Sequence, residues 1–179
     1  MENTSFINNL RKRLIMKQEK LVALLFELMK NSKRSDRELA KNMGISQPTV
    51  TRLRRKLEKE AIEQYTVIPN LAYLGFDIIA LTFFSSKELV HPLWDKGRKW
   101  AQDHPNVMFV STGQGLDSDA LVASVHKDYA DFARFYQEFR RDWGEQLQDF
   151  RVFLMSIKGS ITMKKFSFSS LHDAYHQKS

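Results

Sequence analysis

What most constrains this chain is the stretch Ser35–Glu60, SDRELAKNMGISQPTVTRLRRKLEKE. Ser35 followed three positions later by Glu38 predicts a capping box that opens a short helix. Leu39, Ala40 and Met43 fall on one side of that helix, and Gly44 ends it. Ile45 is then placed to tuck between helices, Ser46 to cap a second helix, and Pro48 to sit in its first turn, where a missing N–H costs nothing. Two helices joined by so tight a turn must share an apolar contact, and the sequence supplies it. Val50, Leu53 and Leu57 recur at spacings of three and four and form the face that packs on the rest of the domain.

The opposite face of the second helix is polar. Thr51, Arg52, Arg55 and Lys59 point away from the apolar stripe, and Gln47 and Thr49 stand at the N-terminal tip. A helix laid out in this way suits the major groove, with N-terminal residues at base edges and Arg or Lys side chains at phosphates. The residues expected to meet double-stranded DNA are Ser46, Gln47, Thr49, Thr51, Arg52, Arg54, Arg55, Lys56 and Lys59. The bland reading of the same cluster is a solvated basic face. It is the helix, glycine turn and second capped helix together that favour DNA.

Charge placement supports this. Residues 1–65 hold 15 Lys/Arg against 8 Asp/Glu, whereas residues 66–179 hold 13 against 13, so the whole net charge of +7 lies in the first third. A polyanion-binding module joined to a neutral one is implied. Hydrophobic residues make up 42% of the chain, enough for a packed core and against disorder. The absence of cysteine excludes a disulfide framework, thiolate metal sites and cysteine nucleophiles, and suits a reducing cytoplasm. No apolar run reaches the length of a membrane span, and the N-terminus lacks a signal-peptide core, so no membrane partner is expected.

Ahead of the motif, Phe6, Leu10 and Leu14 suggest an amphipathic helix bearing Arg11, Lys12 and Arg13, with a frayed basic tail as the alternative. Leu21, Leu24, Leu25 and Leu28 then mark the first helix of a three-helix core. After Glu60, the run Tyr65–Ile68 is expected to form a short strand, a wing or hinge ribbon, broken by Pro69 and Asn70. From Leu39 to Gly75 the sequence resembles the DNA-binding half of the Lrp/AsnC family of feast/famine regulators. The matching pieces are Gly44-Ile45-Ser46, Thr49-Val50, Arg52, Leu57-Glu58, Ile62 with Tyr65, and Leu74-Gly75. The family usually has Gly where Ala61 stands.

Residues 78–86, IIALTFFSS, predict a strand, and residues 91–103 a helix carrying Leu93, Trp94, Gly97, Trp100 and Ala101. NVMFVSTGQG and SDALVASVH predict two strands around a turn. Phe132, Phe135, Tyr136, Phe139 and Trp143 stripe a further helix, and DFRVFLMSI is a last strand. The order βαββαβ is ferredoxin-like, an antiparallel sheet with two helices on one face. The expected fold is therefore α+β, a winged helix-turn-helix domain followed by a ferredoxin-like domain. Expected boundaries are 1–64 for the first domain, 65–76 for the hinge, 77–170 for the second domain and 171–179 for a tail, with ITMKKFSFSSL as a closing strand.

The second half again resembles the Lrp/AsnC family, whose regulatory domain has this topology. The resemblance implies a homodimer or higher assembly formed through the sheet, and a small effector such as an amino acid. Residues 112–122 resemble the family's turn between the second and third strands, here longer and more polar than usual. Gly113 and Gly115 would let backbone N–H groups approach a carboxylate, and Asp117 or Asp119 would hold an ammonium. Asp in a hairpin turn also has an ordinary structural explanation.

Other motifs are weaker. Gly113-Gln-Gly115 lacks a third glycine and precedes a strand, so it is not a dinucleotide fingerprint. His172 and His176 lack a third ligand in the sequence, and no cofactor or metal is expected. No catalytic constellation stands out, and the chain is not expected to be an enzyme. Two alternatives remain. A siroheme-decarboxylase-like enzyme shares the architecture, but should carry His and Tyr near the second and third strands, and VMFVSTGQGLDSDALVA has neither. An architectural protein would bind DNA with little sequence preference.

Overall fold

Two compact units make up the computed structural model, one comprising Met1–Ile68 with Lys164–Ser179, the other Pro69–Met163. The structure describes residues 18–87, 91–159 and 162–176, with only the helical backbone at 91–94. The amphipathic segment at Phe6, Leu10 and Leu14 lies outside the described residues.

The first unit is built on three helices: α1, described over residues 18–30, α2 (Asp36–Met43) and α3 (Gln47–Glu60). Their apolar stripes meet in one core, in which Leu24, Leu39 and Val50 are fully buried and Leu28, Leu53 and Leu57 nearly so. Ser35 and Glu38 form the reciprocal capping box at the start of α2. Gly44 ends α2 in the left-handed region at φ 63°, a conformation that costs glycine nothing, and its N–H reaches back to Ala40 and Lys41. At the end of α3, Ala61 has φ −142°, outside the left-handed region, so this chain has no need of a glycine there.

Three expectations for this unit are corrected. Ser46 occupies the N-cap position of α3, but its side chain makes no capping bond; its hydroxyl is instead 2.8 Å from that of Thr49. Tyr65–Ile68 is not a strand: residues 62–70 carry no ladder bonds, for want of a neighbouring strand among the described residues, and Val67 and Ile68 stand exposed. The C-terminal segment likewise adds no strand among its described residues. It forms the short helix α6 (Leu171–His176), whose His172 and Tyr175 rings sit 5.1 and 5.5 Å from that of Phe26 on α1.

The second unit runs β1 (Ile78–Ser86), α4 (His91–Asp103), β2 (Val107–Gly115), β3 (Ser118–His126), α5 (Tyr129–Trp143) and β4 (Leu147–Ser156). The antiparallel sheet has the order β2-β3-β1-β4, the ferredoxin-like arrangement. Alternation along β1 sends Ala80, Thr82 and Phe84 to the helical face, where Phe84 packs with Phe135, Phe139 and Trp143 of α5. The other face is apolar and open. Across it, Phe109, Ala123, Leu81 and Phe153 lie in register, and Phe109 and Phe153 on the outer strands are 56% and 58% exposed.

Candidate nucleic-acid interface

The expected DNA-contacting residues divide into two groups once α3 is seen in place. Arg52, Arg55 and Lys59 are exposed, with no ion pair among the described residues. Gln47, Pro48, Thr51, Arg52 and Arg55 border an open depression at the N-terminal half of α3. Lys56 is exposed too, 3.4 Å from Glu60 one turn on, a pairing that water screens strongly. Ser46 and Gln47 are exposed beside them, and Thr49 is half-buried.

Thr51 and Arg54 belong to the second group, because both are turned inward to Asp36 at the start of α2. The Thr51 hydroxyl donates to one Asp36 oxygen at 2.6 Å and Arg54 Nε to the other at 2.6 Å. Arg54 also donates to the Arg34 carbonyl at 2.9 Å. The Asp36 and Arg54 side chains are only 21% and 18% exposed, so this carboxylate staples the two helices from inside the turn. The Thr51 hydroxyl, and after it the Arg54 guanidinium, hold the Asp36 carboxyl below the usual range. Burial opposes the charge on Arg54, but Asp36 and Tyr65 outweigh it and raise its pKa. Tyr65 hydroxyl donates to Glu58 at 3.2 Å, which ties the exit of the domain to the same helix.

Asp36 was not among the residues singled out from sequence, and Tyr65 was named there only for the expected strand and the family resemblance. Asp36 is separated from its partners by 15 and 18 positions, which no helical spacing relates. Its position in the first turn of a capped helix explains it fully as a partner for backbone N–H groups. The only signal for a second role was a buried-side Arg54 next to exposed Arg55, which periodicity alone does not interpret.

In the second unit, the four residues expected to hold an effector do not form one site. The turn is a two-residue loop of Leu116 and Asp117, both at positive φ, closed by the Gly115–Ser118 pair, where the two expected strands end and begin. Gly113 lies within β2 and Asp119 within β3. Asp117 is paired with Arg151 of β4 at 3.2 Å, and Arg151 also donates to the Leu116 carbonyl. Asp119 accepts the Ser86 N–H on both its oxygens, at 3.0 and 3.1 Å. The carboxylates expected to bind an ammonium thus already have partners in the fold. Among the described residues there is no cluster of three or more groups suited to a metal, and no helix is long and apolar enough to cross a membrane.

Residues 18–60 match the family model for winged helix-turn-helix DNA-binding domains. No curated protein matches the chain in sequence. Among solved structures, PH0061 is 26% identical with a TM-score of 0.69, over 83% of this chain and 95% of that one. Transcriptional regulator NMB0573 of Neisseria meningitidis, solved as an L-Met complex, is 17% identical with a TM-score of 0.70, over 83% and 92%. An AsnC family transcriptional regulator from Agrobacterium tumefaciens is 17% identical with a TM-score of 0.69, over 83% and 93%. Residues 18–60 are thus a winged helix-turn-helix DNA-binding domain, and over about four-fifths of its length the chain has the fold of the Lrp/AsnC regulators.

Proposed function

We propose that the chain is a transcriptional regulator of Lrp/AsnC type, which binds double-stranded operator DNA as a homodimer or higher assembly and responds to a small effector. The observation that carries the reading is the outer face of α3, where Arg52, Arg55 and Lys59 stand exposed and unpaired beside Gln47 while Val50, Leu53 and Leu57 anchor the helix in the core. Such a helix offers cations to phosphates and an amide to a base edge, the two kinds of contact that fix register and read sequence. Assembly is supported by the open sheet face, where two half-exposed phenylalanines flank small or shielded residues. A second copy is the partner that the likeness to Lrp/AsnC regulators supports, and a two-fold assembly reads two half-sites at once. A response to a small effector is supported by the likeness to the Neisseria protein, which was solved as an L-Met complex.

The test is selection of bound fragments from the source genome, followed by affinity for a selected fragment and for random DNA of equal length at one salt concentration. A regulator binds the selected site roughly 10³-fold or more tighter. Equal affinities would instead make the chain an architectural DNA-binding protein.

A further inference from the structure

The segment that leaves α3 decides how far the DNA-facing helix can move from the rest of the chain. After Glu60, Ala61 and Ile62 both donate their N–H to the Leu57 carbonyl at 2.8 Å, and the Ile62 side chain packs on the three-helix core. Residues 63–68 then carry no ladder bonds and are exposed, and the unit ends at Ile68. Among the described residues, Tyr65 is the one member of this stretch whose side chain bonds to another element.

Its hydroxyl donates to Glu58 at 3.2 Å, and its oxygen accepts from Arg54. Arg54 and Glu58 stand one turn apart on α3, the helix that presents Arg52, Arg55 and Lys59. Both partners carry charge, which makes such bonds roughly twice as strong as neutral ones. Arg54 is itself held by Asp36 and by the Arg34 carbonyl, so Tyr65 is tied to a fixed point and not to a loose side chain.

The tie sets a length. With Tyr65 seated, only Thr66, Val67 and Ile68 separate the anchored chain from the next unit, at most about 10 Å of extended backbone. With Tyr65 released, the anchor falls back to Ile62, and residues 63–68 span at most about 20 Å. The second passage of the chain between the units does not replace the lost restraint, because residues 164–170, between Met163 and α6, reach further still. At roughly 3.4 Å per base pair, the 10 Å or so gained equals about three base pairs of play for each copy.

From this we infer that Tyr65 is a positioning residue for DNA recognition: its hydroxyl, tied to Glu58 and Arg54, fixes the spacing of half-sites that two copies can grip together. This rests on the proposed reading of two half-sites by an assembly of copies.

The test uses the full chain at one salt concentration. Duplexes carry two half-sites taken from the selected fragments, with spacers lengthened one base pair at a time over a helical turn, and a further duplex carries a single half-site. The parent should bind best at one spacing and lose affinity on either side of it. Tyr65→Phe keeps the ring and removes the hydroxyl. It should widen the tolerated range by about three base pairs and lower affinity at the best spacing about threefold, because doubling a flexible tether dilutes the second domain at its half-site. Affinity for the single half-site should not change. Glu58→Gln, which keeps an oxygen to accept the Tyr65 hydroxyl, should retain the parent's profile. A Tyr65→Phe profile superimposable on the parent's would overturn the inference. So would an equal fall on the single half-site and at every spacing, which would make Tyr65 a residue of stability alone. Either result would leave the regulator standing. A parent with no preferred spacing would remove the reading of two half-sites, and the inference with it.

Discussion

Arginines 52, 54 and 55 are adjacent in sequence but should behave differently on DNA, and the salt dependence of binding separates them. A cation that neutralises a phosphate releases a counterion, and each such contact adds about 0.9 to the slope of log affinity against log salt. Arg52 and Arg55 are exposed and unpaired, so alanine at either should lower the slope by about 0.9, which between 50 and 200 mM salt amounts to roughly a 3.5-fold smaller loss of affinity. The charge of Arg54 is already met by Asp36 at 2.6 Å with both side chains about four-fifths buried, so it has no counterion to release. Arg54→Ala should leave the slope unchanged and act on stability instead. It strands a carboxylate in a largely buried place, at a cost of about 2–3 kcal/mol. Anisotropy of a labelled duplex across a salt series gives the slopes, and urea melts followed by circular dichroism give the stabilities. A slope lowered by about one in Arg54→Ala would refute the reasoning, because it would put that guanidinium on a phosphate. Asp36→Asn guards against loss of folding: it weakens the staple without removing a cation and should not lower the slope.

Two further outcomes are expected. Burial holds His126 below its ordinary value of 6.5, with Asp131 only partly opposing it, so below pH 6.5 the unfolded chain takes up the proton first; stability of the second unit should be full above pH 6.5 and fall as pH drops below it, and His126→Gln should flatten that dependence in thermal melts across pH. Phe109→Asp with Phe153→Asp places charges on both flanks of the open sheet face and should convert the assembly to monomers in sedimentation, whereas an unchanged assembly would move the contact off this face.

Much of the first unit was legible because its signals are local. Ser35 with Glu38, Gly44, and the stripe Val50, Leu53 and Leu57 each act within a few residues, and the structure keeps all of them. The strands and helices of the second unit were legible for the same reason, since Phe84 and Phe139 follow the periods of their own elements. Contacts that cross elements were hidden. The Asp36 staple joins residues unrelated by any period, the Ser46 hydroxyl chose a side chain over the backbone, and Asp119 is spent on a strand 33 positions away. The ends of the hairpin turn were legible at Gly115 and Ser118, but not that Leu116 and Asp117 would take positive φ values. A strand at Tyr65–Ile68 had the right residue types, but a strand also needs a neighbour, which composition does not supply.

The division of charge between the units bears on how an effector would act. One protomer offers about three free cations on α3, enough for a salt slope of about 2.7 and roughly a 40-fold loss of affinity between 50 and 200 mM salt. Two protomers bound together double the slope, so the same change of salt costs them roughly 1,800-fold. The second unit adds no cationic excess to alter these figures, as residues 69–163 hold 10 Lys/Arg against 12 Asp/Glu. An effector bound there therefore has two routes to DNA affinity, and they differ in measurable form. If it shifts the assembly, affinity and salt slope change together, because the number of phosphates engaged changes. If it only reorients domains within a fixed assembly, the ordinary allosteric coupling of about 1–3 kcal/mol appears with the same phosphates engaged and the slope held. The free cations on α3 thus count how many copies grip the DNA, and the salt slope with and without effector tells the two routes apart.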